Sequence, residues 1–149
     1  MKSIVVTIVA VSLAAGARHD LRAEAVRETP LAAFRSDPFR PQLRYTPKYG
    51  WMNDPNGLIY DQGKWHFFCQ HNPTNVVWGN MHWNHAVSDD LVHWQELGEA
   101  LCPDDQGTMF SGSAVVDREG VAGFGRDVQV LFYTHDVTDG FHFVQRVAW

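Results

Sequence analysis

The sequence predicts an all-β protein assembled from antiparallel meanders of the kind that form β-propeller blades. Three observations predict it. Between residues 41 and 149 the apolar runs are short and are separated by Asp, Asn and Gly turn chemistry. None has the length or period of an amphipathic helix. One segment also recurs: Asn56-Gly57-Leu58-Ile59-Tyr60-Asp61 and Ser111-Gly112-Ser113-Ala114-Val115-Val116-Asp117 both run through glycine into an apolar strand and an acidic turn, at an offset of 55 residues between Gly57 and Gly112. An ordinary β-sandwich with similar hairpins is the alternative that the hairpins by themselves leave open.

Residues 1–17 read as a secretory signal. Met1-Lys2-Ser3 supplies one positive charge, residues 4–15 are apolar apart from Thr7 and Ser12, and Ala15-Gly16-Ala17 places small residues where a signal peptidase cleaves. The apolar stretch is shorter than the roughly 20 residues that span a bilayer, so a retained membrane anchor is the weaker alternative. The expected location is secreted or periplasmic, without membrane attachment after cleavage. Residues 18–40 carry five arginines with Pro30 and Pro38 and read as a surface linker.

From residue 41 the strands follow. Leu58-Ile59-Tyr60 leads through Asp61-Gln62-Gly63 into residues 65–70, then residues 82–88, the Asp89-Asp90 turn, and a strand over residues 92–97. In the second unit residues 129–135 are matched to residues 65–71, and residues 147–149 to residues 85–87. The second unit therefore reaches only its third strand at Trp149. Fewer than two blades are present, and a propeller closes with about four to eight, so the chain reads as the front portion of a longer protein.

Composition narrows the function. Hydrophobic residues make up 45% and charged residues 19%, which excludes a disordered, collagen-like or coiled-coil chain. The formal charge of −5 offers no basic field for a nucleic acid. Six Trp, nine Phe and four Tyr leave rings available for stacking on sugars. Two cysteines, Cys69 and Cys102, allow one disulfide, but Cys69 lies in an apolar strand and two unpaired thiols are the favoured reading. His82 and His85 point to opposite faces of a strand, and the other histidines lack ligand spacing, so no metal and no other cofactor is expected.

The chemistry centres on Trp51-Met52-Asn53-Asp54-Pro55-Asn56-Gly57. Pro55 stiffens the chain and pushes Asp54 into an extended conformation, and Asn56-Gly57 supplies turn geometry. The motif is expected at the entrance to the first strand. By the 55-residue offset, Phe110-Ser111-Gly112-Ser113 occupies the matching place in the next unit, so both reach one rim of one pocket.

Arg40-Pro41-Gln42-Leu43, Tyr45-Thr46-Pro47, the Trp51–Gly57 motif, Gln70-His71-Asn72-Pro73, Trp78-Gly79-Asn80-Met81-His82-Trp83, His85-Ala86-Val87-Ser88, Asp90-Leu91-Val92-His93-Trp94 and Phe110-Ser111-Gly112-Ser113 stand in one order that closely resembles glycoside hydrolase family 32. These are the β-fructofuranosidases, among them invertases, inulinases and levanases. The resemblance implies a five-bladed propeller, of which residues 41–149 are the N-terminal part, and a retaining hydrolase that releases β-D-fructosyl units from sucrose or fructans. Asp54 matches the nucleophile that forms a covalent fructosyl-enzyme. Asn53, Gln70, Trp78, Phe110 and Ser111 match positions that hold the fructose.

An amide neighbour such as Asn53 can hydrogen-bond the carboxylate without adding a like charge. The family takes its acid/base Glu from a Glu-Cys motif and a stabilising Asp from an Arg-Asp-Pro motif, and neither occurs here; Arg126-Asp127-Val128 lacks the proline and is not assigned. The 149 residues are therefore expected to be inactive alone. A fructan- or sucrose-binding protein without catalysis is the alternative function. Two departures from the family pattern are Cys69, where an aromatic is common, and Asn84, where Gly is common.

Overall fold

A computed structural model of the chain describes residues 38–41, 43–137 and 142–149. The expected signal segment and all but the end of the expected linker lie outside the described residues. Seven strands follow in order: β1 (Trp51–Asp61), β2 (Lys64–Asn72), β3 (His82–Ser88), β4 (Trp94–Leu101), β5 (Gly107–Asp117), β6 (Val128–Val137) and β7 (His142–Ala148). They form two antiparallel meanders, β1-β2-β3-β4 and β5-β6-β7, with no helix among the described residues.

The turn residues explain the hairpins. Gln62 and Gly63 have φ angles of 48° and 83°, the paired left-handed values with which a two-residue loop matches the twist of its flanking strands. The strand expected from residue 92 begins instead at Trp94 and runs on to Leu101. Asp90 Oδ1 accepts the backbone N–H of Val92 and His93 at 2.9 and 2.7 Å, and Ser88 Oγ accepts that of Leu91 at 2.8 Å. Backbone donors captured by side chains are withdrawn from the ladder, which delays the strand.

The repeat is real, but its register differs from the expected one. Matching residues 65–71 to residues 129–135 puts Phe132 in the place of Phe68. The ladders put Tyr133 there, because Gly57 pairs with Phe68 and Gly112 with Tyr133. In the third strands Arg146, not Val147, corresponds to His85. The second unit holds one more residue between its glycine and its buried terminal aspartate, Asp117, than the first does before Asp61. A one-residue slip exchanges the faces of a strand; accordingly Tyr133 is buried, whereas Phe132 is 42% exposed.

The core lies between the sheets. Phe68, Trp83, Met109, Leu131 and Tyr133 form one cluster, flanked by Ile59, Leu101, Ala114 and Ala148. The inner strands β1 and β5 meet closely at Gly57: a Cβ there would stand 2.6 Å from the Ala114 Cβ and 3.3 Å from the Phe68 ring. Glycine is required by the approach of the two sheets. One rim of this seam is tied by the Met109 N–H donating to the Met81 carbonyl at 2.9 Å. At the other end of β1, Arg118 pairs with buried Asp61 at 2.7 Å, and Gln129 donates to the same carboxylate at 3.0 Å. The opposite face of the first sheet carries Tyr45 against Phe67 and Trp94, so the segment before β1 packs on the blade.

Candidate active site

The residues expected to act together sit on irregularities of the two inner strands. From Met52 to Pro55 β1 advances three residues while its partner β2 advances two, from His71 to Cys69. This bulge holds Asn53 and Asp54 inside β1, which starts at Trp51, so the motif lies within the strand instead of at its entrance. In the second sheet the ladder shifts between Phe110 and Gly112, and the extra residue is Ser111. A bulge bends its strand and re-aims the side chain it carries. Here the two bulges converge: Ser111 Oγ donates to Asp54 Oδ2 at 2.8 Å, while Asn53 Nδ2 lies 3.5 Å from Oδ1 of the same exposed carboxylate.

Behind this bridge lies a buried amide and indole layer. Gln70 is 3% exposed and donates to the Met109 carbonyl at 2.9 Å, and Trp83 Nε1 donates to the Phe110 carbonyl at 3.0 Å. With its amide oriented by these neighbours, Asn56 accepts from Gln70 Nε2 at 3.2 Å and from Trp83 Nε1 at 3.0 Å. The first sheet thereby grips the two peptides that precede Ser111. Gln70 supports the wall from behind, whereas Asp54, Asn53 and Ser111 meet at the surface.

Aromatic rings complete the rim. Trp78, 60% exposed, meets Phe110 edge-on at 6.1 Å, and Phe110 meets Phe143 at 5.9 Å. Trp51, 36% exposed, precedes the bulge. Such a line of open rings beside a carboxylate is suited to the apolar face of a sugar. Sequence reasoning missed Asn56, Trp83 and Phe143 as parts of this site. Trp83 carried a readable signal, the second tryptophan of Trp78-Gly79-Asn80-Met81-His82-Trp83; Phe143 carried none, because only the β6–β7 pairing brings it to Phe110.

A charged network lies under the start of β1. His71 Nδ1 is 2.8 Å from Glu99 Oε1, and its Nε2 is 2.8 Å from the Tyr49 carbonyl. Both neighbours offer acceptor oxygens, an arrangement that favours a proton on each ring nitrogen and so the imidazolium form. Burial pulls the His71 pKa down, but the Glu99 and Tyr49 hydrogen bonds and the charges of Glu99 and Glu96 bring it above the ordinary value. Burial likewise raises that of Glu99, yet the hydrogen bond and charge of His71, with the Asn84 amide, hold it below the ordinary range. Across the sheet, burial and then the charge of His66 depress His85 to about 4. Burial pushes the Cys69 thiol up to about 12, and both Cys69 and Cys102 are unpaired. Among the described residues no group of His, Cys, Asp or Glu is arranged to hold a metal ion.

These shifts give stability a maximum in pH. The His71 contribution is complete below its unfolded pKa of 6.5 and is lost as pH rises through the raised folded value. That of Glu99 is complete above 4.5 and is lost as pH falls through the lowered folded value. His85 acts with the opposite sign to His71: the unfolded chain takes the proton first, so stability falls as pH drops from 6.5 towards 4. The thermal midpoint is therefore expected to peak near pH 6.5, and His71→Gln to flatten the alkaline side in unfolding scans. A wild-type midpoint that keeps rising on the alkaline side contradicts the assignment.

A model of the glycosyl hydrolases family 32 N-terminal domain matches residues 44–149. The levanase of Bacillus subtilis (strain 168) is 48% identical over 121 residues, covering 79% of this chain and 18% of the levanase. An extracellular exo-inulinase of Aspergillus awamori is 48% identical over 101 residues, covering 64% of this chain and 19% of that protein. The structure of the β-fructofuranosidase from Schwanniomyces occidentalis complexed with fructosyl-erythritol superposes with a TM-score of 0.68 at 41% identity, over 73% of this chain and 23% of that one. The chain spans about a fifth of the length of the curated relatives it matches.

Proposed function

The chain belongs to glycosyl hydrolase family 32, and from that premise we propose that the whole protein is a retaining β-fructofuranosidase in which Asp54 is the nucleophile. The two sheets are the first blades of the family's propeller. The observation that carries the proposal is the 2.8 Å bridge from Ser111 to Asp54 across two blades, which sets a carboxylate and a hydroxyl at one aromatic-lined rim. Ser111 holds Oδ2, leaving Oδ1 to attack the anomeric carbon of a fructosyl unit. The C–O bond to the leaving sugar breaks as the ester to Asp54 forms, and the departing oxygen takes a proton from a second carboxyl group. Water, deprotonated by that same group, then releases β-fructose with its configuration retained.

Retention requires the second carboxyl about 5 Å from the first. Several of the described carboxylates are engaged away from Asp54: Asp61 with Arg118, Glu99 with His71, Asp117 with the backbone of its own turn, and Asp104 with His135 and Arg146. In this reading the proton donor is the family's acid/base Glu, carried by the whole protein. Asn53, Gln70, Trp78, Phe110 and Ser111 hold or support the fructosyl unit, and sucrose or a fructan supplies it. Residues 1–17 act as the export signal, cleaved after Ala17, and residues 18–40 as a linker ahead of the propeller, so that the enzyme works outside the cytoplasm. The extracellular exo-inulinase among the relatives supports that location.

Mass spectrometry of the whole protein quenched during turnover of a slow fructosyl substrate is expected to find one hexosyl adduct on the peptide bearing Asp54. An adduct on another residue, or inverted product, overturns the assignment. Binding of sucrose without any turnover or adduct would favour a carbohydrate-binding protein instead.

A further inference from the structure

The His71–Glu99 pair lies outside the fructose site, yet it is attached to the strand that carries Asp54. His71 is directly opposite Met52 in the β1–β2 ladder, the last pair before the bulge holding Asn53 and Asp54. Its ring donates to the Tyr49 carbonyl at 2.8 Å, so a single side chain from β2 grips the chain two residues before β1 begins, just upstream of that bulge. Gly50, between Tyr49 and Trp51, is packed against this grip: a Cβ there would stand 2.2 Å from the Asn72 carbonyl oxygen and 2.9 Å from His71 Nε2. Trp51 adds a backbone hydrogen bond to the Asn75 carbonyl at 2.9 Å.

The grip is itself held in place. Glu99, on β4, accepts from His71 through Oε1, and Asn84 Nδ2 donates to that oxygen at 3.1 Å. Tyr45 OH donates to Asn84 Oδ1, which joins the segment before β1 to the same network. Glu99 Oε2 is buried and has no partner among the described residues, so the carboxylate depends on the imidazolium for its charge balance. The other groups whose charge bears on His71 are Glu96 on β4 and His82 on β3. Asn84 thus links the Glu99 carboxylate to the Tyr45 hydroxyl.

We propose that His71, oriented by Glu99, is a positioning residue that holds residues 49–52 and thereby aims the Asp54 carboxylate. The proposal rests on Asp54 being the nucleophile. A bulge sets the direction of its side chain only while the pairs beside it are fixed. Misplacing a reacting atom by about 1 Å costs up to about a hundredfold in rate without removing any substrate contact.

The test uses the whole protein, wild type and Glu99→Gln, which keeps the size of the side chain and removes the charge that orients the ring. Hydrogen exchange of peptides covering residues 49–57 and initial rates on sucrose are measured together. Glu99→Gln is expected to speed exchange at residues 49–54 by about tenfold and to lower kcat by about tenfold with KM within about twofold of wild type. Asn84→Gly is expected to change both in the same direction by less. Unchanged exchange in a folded Glu99→Gln protein overturns the grip. Faster exchange with unchanged kcat overturns the positioning role. Absence of turnover from the wild type overturns the functional reading and the catalytic half of this proposal with it, and the exchange result then decides the structural half alone.

Discussion

Asp54→Asn in the whole protein is expected to abolish sucrose turnover, lowering kcat by about 10⁴-fold or more while leaving KM within a few-fold. The amide matches the carboxylate in shape, and its oxygen still accepts from Ser111, so the 2.8 Å bridge between the blades survives. What disappears is the anion that forms the ester. A neutral amide oxygen cannot provide a fructosyl-enzyme, and the second carboxyl alone only protonates the leaving group. The substrate contacts proposed for Trp78, Phe110 and Asn53 would remain, so KM is expected to move little. Rates and binding on the purified variant check this directly, and retention of more than about a hundredth of wild-type kcat would remove Asp54 from its role.

Trp83→Ala is expected to have the largest effect on stability, a loss of about 4 kcal/mol in denaturant unfolding. The indole is fully buried at the seam between the sheets, packed on Phe68 and Tyr133 with ring centroids 6.2 and 6.3 Å away. Truncation leaves a cavity among Phe68, Met109, Leu131 and Tyr133, side chains that already pack against one another between the sheets. It also strands the Phe110 carbonyl, which accepts the indole N–H at 3.0 Å, one peptide before Ser111. Trp83→Phe separates the two contributions: most of the ring volume stays, the donor goes, and a loss nearer 1 kcal/mol is expected. If the alanine variant costs no more than the phenylalanine variant, the seam is not held by the packing of this residue.

Much of this site was legible because its chemistry is local in sequence. Asp54 beside Asn53, locked by Pro55, is a statement about neighbouring residues, as is the glycine-led strand after each motif. The 55-residue recurrence then placed Ser111 at the same rim as Asp54, where the hydrogen bond between them now stands. Gln70 illustrates the limit. Its place in the motif was readable, but whether its amide meets solvent or the Met109 carbonyl depends on how closely the second sheet approaches. His71 and Glu99 were not recognised together, because their partnership passes across β3 and joins residues 28 apart in sequence.

The amino-acid order by itself determined that the chain forms antiparallel hairpins, where most of them turn, and which carboxylate is held on a stiff backbone. These follow from φ restriction, side-chain alternation and turn chemistry, each acting over a few residues. Only the tertiary structure decided the register between the repeats, the two bulges that turn Asp54 and Ser111 toward each other, and the burial of Trp83 and Gln70 behind them. A one-residue slip changes no local preference but exchanges the two faces of a strand, so it is settled by the fit of one sheet against the other.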